Sequence, residues 1–251
     1  RIELNNGSGL VLDEYSHDNI VEGNYFGQNV DAAIKLIGSG ANRISNNHIS
    51  GWTTYGNYGI YGERTTDEII CDNIFDLFQR EAIYLKTLGT TTYLVANMIV
   101  GNKFKRCSIA GEGSYSVIKL EGDPSYQAYI NVITQNSYYS AGYKPKYFVE
   151  VINEVSINFI SDNHVRSQDF VSGIISASKL NKNSGTATIP AGSTSVTVSH
   201  GLGSTPSKVI VTPIGDPGDR WWVANVGSSS FEIHVATAPS SDISFYWHAE
   251  V

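Results

Sequence analysis

Charged residues are scarce in this 251-residue chain, where Asp, Glu, Lys and Arg make up 16% of the sequence and the net charge is −7. Proteins that bind nucleic acids or anionic membranes need clustered positive charge, so this balance argues against both partners. No run of 18 apolar residues occurs, and the sequence therefore predicts no membrane-spanning helix. The length is sufficient for one or two domains with a sizeable hydrophobic core.

The usual signatures of cofactor and metal chemistry are also missing. We expect the two cysteines, Cys71 and Cys107, to be unpaired thiols. The histidines show no His-x-x-x-His spacing, and no Ser-His-Asp or phosphate-loop pattern is found. Asp216 and Asp219 could contribute to a Ca²⁺ site, but two carboxylates are too few for its oxygen cage, so an acidic turn is the better interpretation. We therefore predict no metal site and no cofactor, with Ca²⁺ as the alternative.

Long stretches with a 3.6-residue apolar period are absent, which argues against leucine-rich and helical repeats. The apolar runs are short, rich in Ile, Val, Phe and Tyr, and bounded by turn residues. One phrase, Asn-x-Ile/Val-x-x-Asn-x-apolar, occurs six times, at residues 19–26, 42–49, 68–75, 97–104, 131–138 and 158–165. Only Glu68 departs from Asn at the first position, and the steps between copies are 23, 26, 29, 34 and 27 residues. Repetition at this period predicts a solenoid.

A second phrase recurs in step with the first, at residues 10–12, 34–36, 60–62, 83–85, 118–120 and 149–151. Each coil therefore offers at least two short strands. A coil of ~25 residues with two or three short strands has the size of one parallel β-helix rung. Asn tolerates the left-handed backbone of sharp corners, and its amide can hydrogen-bond to the Asn of the next rung. The repeat thus predicts an all-β fold with a ladder of asparagines.

This pattern resembles the right-handed parallel β-helix proteins of the pectate-lyase-like group, which includes bacteriophage tailspikes and virion-associated lyases. The resemblance covers residues 1–175 and concerns the fold rather than a particular activity. The chain begins with what looks like the middle of a rung, so we expect it to be a C-terminal fragment that lacks upstream rungs and localisation signals. The resemblance implies a location in the virion tail or outside the cell.

Composition changes at residues 176–185, which we interpret as a linker before a smaller domain at 186–251. Six short alternating segments in this domain predict an antiparallel β-sandwich. The segments at 206–211, 231–235 and 247–249 resemble the H-type lectin-like sandwiches found on phage spike proteins. That resemblance implies a trimeric module and makes Arg220 and His248 candidate sugar-binding residues. The alternative is a sandwich that only trimerises and caps the solenoid.

Alternation in the second phrase predicts that its middle residue, and the residue just after it, point outward. Because rungs stack ~4.8 Å apart, these positions should gather on one outer face. The residues concerned are Lys35, Tyr61, Glu63, Tyr84, Lys86, Lys119 and Glu121. Aromatic rings, carboxylates and ammonium groups on a rigid surface suit a sugar chain, so we assign Lys35 and Tyr61 to carbohydrate binding.

The other five residues of this face are candidates for catalysis. Glu63 and Glu121 should lie two rungs apart, ~9–10 Å, near the upper limit for the two carboxyl groups of an inverting hydrolase. Lys86 between them could keep both carboxyls ionised, which would prevent one of them from serving as the acid of the pair. In a lyase, lysines would neutralise the uronate carboxylate, and Lys or Tyr would remove the C5 proton, which makes Tyr84, Lys86 and Lys119 the candidates.

A simpler interpretation is an exposed ladder of cross-strand ion pairs, or a subunit interface. A further candidate for carbohydrate stacking is the aromatic-rich loop that we expect between phrases at residues 52–58, which contains Trp52, Tyr55 and Tyr58. Packing over a rung corner is the alternative.

Our leading hypothesis is the C-terminal part of a homotrimeric β-helix protein that binds, and as a lyase or glycosidase degrades, a surface polysaccharide. The alternative is a non-catalytic virion fibre segment that trimerises and binds host glycan. A secreted pectate-lyase-like enzyme with a carbohydrate-binding module is the third possibility.

Overall fold

The computed structural model describes residues 1–251 apart from 53, 55, 88–93, 124–127, 154–158, 177–179 and 219. The chain forms two compact units, Arg1–Ala177 and Ser178–Val251. In the described residues the regular structure is β-strand, with one 3₁₀ turn at Ser167–Asp169. The described part contains no helix with the length and hydrophobicity that a membrane crossing requires.

The first unit is a parallel β-helix whose strands stack into three sheets, as the repeat predicts. Sheet 1 contains β2 (Leu10–Leu12), β5 (Ala32–Ile37), β8 (Tyr58–Glu63), β11 (Ile83–Lys86), β15 (Ile118–Glu121), β19 (Tyr147–Ile152) and β21 (Gly173–Ser176). Sheet 2 contains β3 (Ile20–Glu22), β6 (Arg43–Ser45), β9 (Ile69–Cys71), β13 (Met98–Val100), β17 (Val132–Thr134) and β20 (Phe159–Ser161). Sheet 3 contains β1 (Ile2–Glu3), β4 (Tyr25–Gly27), β7 (His48–Ser50), β10 (Ile74–Asp76), β14 (Lys103–Lys105) and β18 (Ser137–Tyr139). A short extra pair joins β12 (Leu94–Val95) to β16 (Ala128–Tyr129).

The core follows from the first phrase, because its two apolar positions become the inward residues of sheets 2 and 3. In sheet 2 the buried column is Val21, Ile44, Ile70, Ile99, Ile133 and Ile160. In sheet 3 it is Phe26, Ile49, Phe75, Phe104 and Tyr138. The rings of Phe75 and Phe104 stack with their centroids 4.9 Å apart. Apolar side chains at the same position of neighbouring rungs therefore pack against each other, and this repeated burial stabilises the solenoid.

The second asparagines of the phrase form a continuous hydrogen-bonded ladder between sheets 2 and 3. The amide nitrogen of Asn73 donates to Oδ1 of Asn102 at 3.1 Å and to the carbonyl oxygen of Ile44 at 2.8 Å. Its own Oδ1 accepts from the backbone N and the side-chain Nδ2 of Asn47. The same contacts recur from Asn102 to Asn136 and from Asn136 to Asn163, so the predicted rung-to-rung bonding is confirmed.

The left-handed corners do not lie on the ladder asparagines, contrary to our expectation. Positive φ occurs one residue earlier in each rung, for example at Asn46 (55°), Asp72 (57°) and Gln135 (57°). The residue before the first asparagine behaves in the same way, as at Asp67 (56°). The exposed residue before each ladder position therefore makes the turn, and the turn directs the following asparagine inward to satisfy buried backbone groups.

Glu68 takes an asparagine position in the ladder that begins at Asn19 and Asn42. Its carboxylate is fully buried and accepts from Nδ2 of Asn42 at 3.0 Å, the backbone N of Asn42 at 3.2 Å and Oγ of Ser39 at 2.9 Å. A carboxylate has no hydrogen to donate to Oδ1 of Asn97, which Glu68 reaches only through its backbone N. Burial raises the pKa of Glu68, although the bonds from Asn42 and Ser39 oppose that rise.

Replacing Glu68 with asparagine should increase the free energy of unfolding by about 1–2 kcal/mol at pH 7, because the buried charge disappears and a donor to Asn97 is restored. The gain should shrink at lower pH. A carboxyl group with a raised folded-state pKa stabilises most below its unfolded pKa and loses that contribution as pH rises through the folded pKa. Urea unfolding at pH 4 and pH 7 measures the difference.

Glu68→Gln should instead be destabilised at both pH values, since its NH₂ group would face a donor of Asn42 or Ser39. A larger gain for Glu68→Asn at pH 4 than at pH 7 would contradict this account.

The second unit is a sandwich of two three-stranded antiparallel sheets. Sheet 4 contains β22 (Lys182–Ile189), β27 (Ile243–Glu250) and β24 (Lys208–Ile214), and sheet 5 contains β23 (Ser195–Ser199), β26 (Ser230–Val235) and β25 (Trp221–Ala224). Phe231 and Trp247 pack edge to face across the core, 5.7 Å apart.

The predicted linker at 176–185 is partly strand. β22 begins at Lys182, and Asn183, Ser184 and Gly185 pair with β27. The polar composition that suggested a linker instead belongs to an edge strand whose backbone is held by β27 and whose outer side faces solvent.

Candidate functional site

The outward side chains of sheet 1 form two columns that run across the strands. Strand register aligns the first column as Lys35, Tyr61, Tyr84, Lys119 and Glu150. It aligns the second as Ile37, Glu63, Lys86, Glu121 and Ile152. The seven residues that the sequence assigns to this surface therefore lie together, and we call them the polar face: Lys35, Tyr61, Glu63, Tyr84, Lys86, Lys119 and Glu121.

A third outward column was missed by the sequence interpretation. In each of these strands two consecutive residues face the core. In β8 they are Gly59 and Ile60: a Cβ atom added to Gly59 would lie 2.7 Å from the Phe75 ring, and Ile60 is fully buried. Alternation is interrupted there, so the residue before each pair turns outward. These residues are Ala32, Tyr58, Glu81 and Ser116. The signal in the sequence is the apolar pair that precedes each outward middle residue, such as Ala82-Ile83 or Val117-Ile118.

Three tyrosines form an aromatic cluster at the centre of this surface. Ring centroids are 5.0 Å apart for Tyr58 and Tyr61, 5.7 Å for Tyr61 and Tyr84, and 5.8 Å for Tyr58 and Tyr84. Tyr58 belongs to β8 and is buried, so it does not lie in a loop as we expected. Tyr84 points outward but is also nearly covered, at 8% exposure. Trp52 is exposed, and Tyr55 lies outside the described residues.

Ion pairs surround the tyrosines. Nζ of Lys119 lies 2.7 Å from Oε2 of Glu121 and 5.0 Å from the Tyr84 ring centroid. Nζ of Lys86 lies 3.4 Å from Oε1 of Glu63 and 5.4 Å from the Tyr61 ring centroid. Lys35 pairs with Asp31 and also lies over Tyr61. Each cation thus contacts both a carboxylate and an aromatic face, which holds its side chain in one place.

Burial and hydrogen bonds together set the protonation states on the polar face. The Tyr84 hydroxyl donates to Oε2 of Glu121 at 2.6 Å, and the Tyr61 hydroxyl donates to Oε1 of Glu63. Burial, followed by these bonds, raises the pKa of both phenols well above their usual value. Burial would raise the pKa of Glu121, but bonds from Lys119 and Tyr84 outweigh it and lower that pKa. At neutral pH the phenols are therefore protonated donors and Glu121 is an ionised acceptor.

Glu81, in the third column, differs from the exposed carboxylates. Its side chain is almost fully buried, and Nε of Arg80 lies 3.6 Å from its Oε2, too far for a hydrogen bond. Burial raises its pKa, with smaller opposing effects from Arg80 and Lys119. Nearby, Glu150 is also buried and accepts from Oγ of Ser116 at 3.0 Å and Nζ of Lys146 at 2.8 Å.

The candidates in the sandwich lie on different sheets. His248 faces outward on β27, where its Nε2 is 3.4 Å from Oε2 of Glu250. Arg220 is exposed beside β25 and, with Trp221 and Trp222, lines a depression of about 460 Å³. Trp222 stacks on His234 with the ring centroids 5.4 Å apart.

The described residues contain no group of three or more His, Cys, Asp or Glu side chains that could hold a metal ion. Oδ1 of Asp216 accepts from the backbone N of Gly218 at 2.9 Å in a local turn, and Asp219 lies outside the described residues. Cys71 and Cys107 are free, as predicted, and both are buried.

Comparisons with known proteins agree with this architecture. Residues 2–116 match the family described as periplasmic copper-binding protein (NosD). The tailspike gp61 of Pseudomonas phage phi297 aligns with a TM-score of 0.51 at 12% identity, over 92% of this chain and 48% of the tailspike. The chain therefore shares the parallel β-helix fold of a phage tailspike. It spans about half the length of that protein.

Two further tailspikes align less well. The tailspike gp49 of Pseudomonas phage LKA1 has a TM-score of 0.25 at 12% identity, over 97% of this chain and 65% of that one. A tailspike of E. coli bacteriophage HK620, in complex with a pentasaccharide, has a TM-score of 0.33 at 10% identity, over 99% of this chain and 66% of that one. No curated protein matches the sequence.

Proposed function

We propose that this chain is the polysaccharide-binding part of a tailspike-like β-helix protein, located in the virion tail or outside the cell, and that the polar face is its glycan surface. The observation that carries the proposal is the tyrosine cluster of Tyr58, Tyr61 and Tyr84, which is bordered on both sides by fixed ion pairs. The tailspike fold of the solenoid is consistent with it.

The chemistry of the surface suits a sugar chain. The partly exposed ring of Tyr61, held in place by the buried Tyr58 and Tyr84, offers an apolar platform. Lys86 and Lys119 can donate hydrogen bonds to hydroxyl or acid groups. Glu63 and Glu121 can accept from sugar hydroxyls through their remaining lone pairs. Because rungs repeat at ~4.8 Å on a rigid sheet, an extended chain can lie across several strands without ordering the protein. This preorganisation favours recognition of an anionic or neutral glycan.

Binding without cleavage is the function that this geometry supports best. A glycosidase needs one carboxyl that is protonated at its working pH. On the polar face the pKa of Glu121 is lowered, and Glu63 is held by both Lys86 and Tyr61. Proton abstraction by Tyr84 in a lyase is disfavoured because the pKa of this phenol is raised.

Cleavage remains the second candidate because of Glu81. Both Glu81 and Glu121 interact with Tyr84, and their pKa values are shifted in opposite directions. Such a separation is how two carboxyl groups take the roles of acid and base. Glu81 would have to become accessible when substrate binds, since its side chain is nearly fully buried in the free protein.

Incubation with capsular and pectin-type polysaccharides distinguishes the two functions. We expect binding on a glycan array, with neither ultraviolet-absorbing unsaturated ends nor new reducing ends. Unsaturated ends would establish a lyase, and new reducing ends a hydrolase. In either case Glu81→Gln should abolish turnover and leave array binding intact. The absence of both binding and turnover across the panel would contradict the proposed function.

Self-association is part of the proposal, with a homotrimer as the expected assembly. Mass measurement in solution tests it directly.

A further inference from the structure

The outward side of sheet 2 has a composition unlike that of the polar face. Register aligns one outward column as Ile20, Arg43, Ile69, Met98, Val132 and Phe159, and we call this column the apolar stripe. Four of its members are exposed large apolar residues, namely Ile20 at 71%, Ile69 at 38%, Met98 at 40% and Phe159 at 42%. The stripe is ~24 Å long if the rungs stack at ~4.8 Å.

The column beside the stripe extends the apolar area toward β20. It consists of the corner residues two positions earlier in each rung, which include Ala96 and Ile130, the latter 48% exposed. In two neighbouring rungs, Met98 and Val132 therefore lie next to the apolar corner residues Ala96 and Ile130. Contiguous exposed apolar surface of this kind is uncommon on monomeric proteins and marks an interaction site.

We propose that the apolar stripe is the surface through which a second copy of this chain binds, while the polar face remains open to glycan. This inference rests on the self-association proposed above and assigns it to one side of the solenoid. The apolar rows repeat with the rungs. Consider a second copy related by rotation about an axis parallel to the solenoid axis. Each rung of one copy then lies at the same height as the equivalent rung of the other, so apolar stripe residues face each other along the whole contact.

The charges on this side are complementary to a second copy. Arg43 is the one cation in the stripe, and its Nε donates to Oγ of Ser45 at 3.4 Å. Asp18 and Asp67 occupy the corner column one rung to either side of it. In a neighbouring copy related by such an axis, these carboxylates lie one rung, ~4.8 Å, above and below the level of Arg43. The long Arg43 side chain can reach one of them, and an ion pair there would fix the register as well as add affinity.

The polar face lacks the features of such an interface. Its charges are already paired within the chain, and its tyrosines are mostly covered by their own neighbours. Burying those paired charges against another subunit would cost desolvation without new partners. The apolar stripe gains from burial, whereas the polar face does not.

The test compares the same substitution on two sides of the solenoid. Met98→Lys places a charge in the stripe, and Ile74→Lys places it on sheet 3 at a position that is similarly exposed, 43% against 40% for Met98. Sedimentation over a range of concentrations should show that the unaltered protein self-associates. Met98→Lys should weaken association at least tenfold and Ile74→Lys should leave it unchanged. A protein that is monomeric throughout, or equal effects of the two variants, would overturn the proposal.

Two further measurements separate the possible failures. Circular dichroism checks that Met98→Lys is folded, and Met98→Cys, which keeps the site apolar, should form an interchain disulfide on oxidation, whereas Ile74→Cys should not. Crosslinking by Ile74→Cys alone would place the interface on sheet 3 and refute the assignment. On the glycan array, Met98→Lys should keep the binding of each protomer. If Met98→Lys loses self-association but still binds glycan, both the apolar stripe as interface and the polar face as glycan surface are supported. If the unaltered protein self-associates but binds no glycan, only the proposed function is refuted.

Discussion

Replacing Asn73 with alanine is expected to lower the free energy of unfolding by about 3–6 kcal/mol, because several buried polar groups lose their partners at once. The amide of Asn73 satisfies the carbonyl oxygen of Ile44 and Oδ1 of Asn102, and its Oδ1 accepts from two nitrogens of Asn47. All of these groups lie in the buried ladder, where water cannot replace the lost bonds. Urea unfolding followed by circular dichroism measures the change.

Asn24→Ala is the matched control. Asn24 occupies the same position in the first copy of the phrase, but it is partly exposed, and its side-chain amide donates to the carbonyl oxygen of Glu22 at 2.9 Å. The expected loss is about 0.5–1 kcal/mol. Similar losses for Asn73→Ala and Asn24→Ala would show that the buried ladder contributes little to the stability of the solenoid.

Replacing both Lys86 and Lys119 with methionine is expected to weaken binding of the tightest array glycan by about 10- to 100-fold, since each ammonium group can supply a charge-assisted hydrogen bond. Removing the lysines also leaves Glu63 and Glu121 without their ion-pair partners. An acidic glycan would then meet uncompensated carboxylates. Its affinity should therefore fall by an amount near the upper end of this range, and the affinity of a neutral glycan by an amount near the lower end. Titration of labelled oligosaccharide measures both affinities.

The control removes the same charge from another side of the solenoid. Lys103 and Lys105 face outward on β14 of sheet 3, and both are exposed. The variant with methionine at these two positions has the same net charge as the polar-face variant and should bind glycan like the unaltered protein. Equal losses in the two variants would mean that the lysines act through overall charge rather than through a site.

Much of the solenoid could be predicted because its repeat encodes both spacing and chemistry. The phrase places Ile44 and Ile49 in the core and Asn47 between them, and one copy is enough to align the next. The companion phrase then fixed which residues of sheet 1 would be neighbours, and the observed register agrees. Periodic burial is visible in a sequence when each rung repeats the same environment.

The parts that could not be predicted are those where the period is broken. Tyr58 and Glu81 reach the outer surface because two successive residues turn inward after each of them, and strict alternation places them on the wrong side. The first half of β22, residues 182–185, carries no apolar signal because its side chains are polar and its pairing comes from a distant strand. The burial that raises the pKa of Glu81 likewise depends on packing, not on its sequence neighbours.

A crystal structure of the protein soaked with the tightest array oligosaccharide would show whether glycan binds on the polar face. We expect a sugar ring over the Tyr61 edge of the tyrosine cluster, with hydrogen bonds to Lys86 and Lys119. Oligosaccharide bound only in the depression beside Arg220 and Trp222, with the polar face unoccupied, would contradict this expectation.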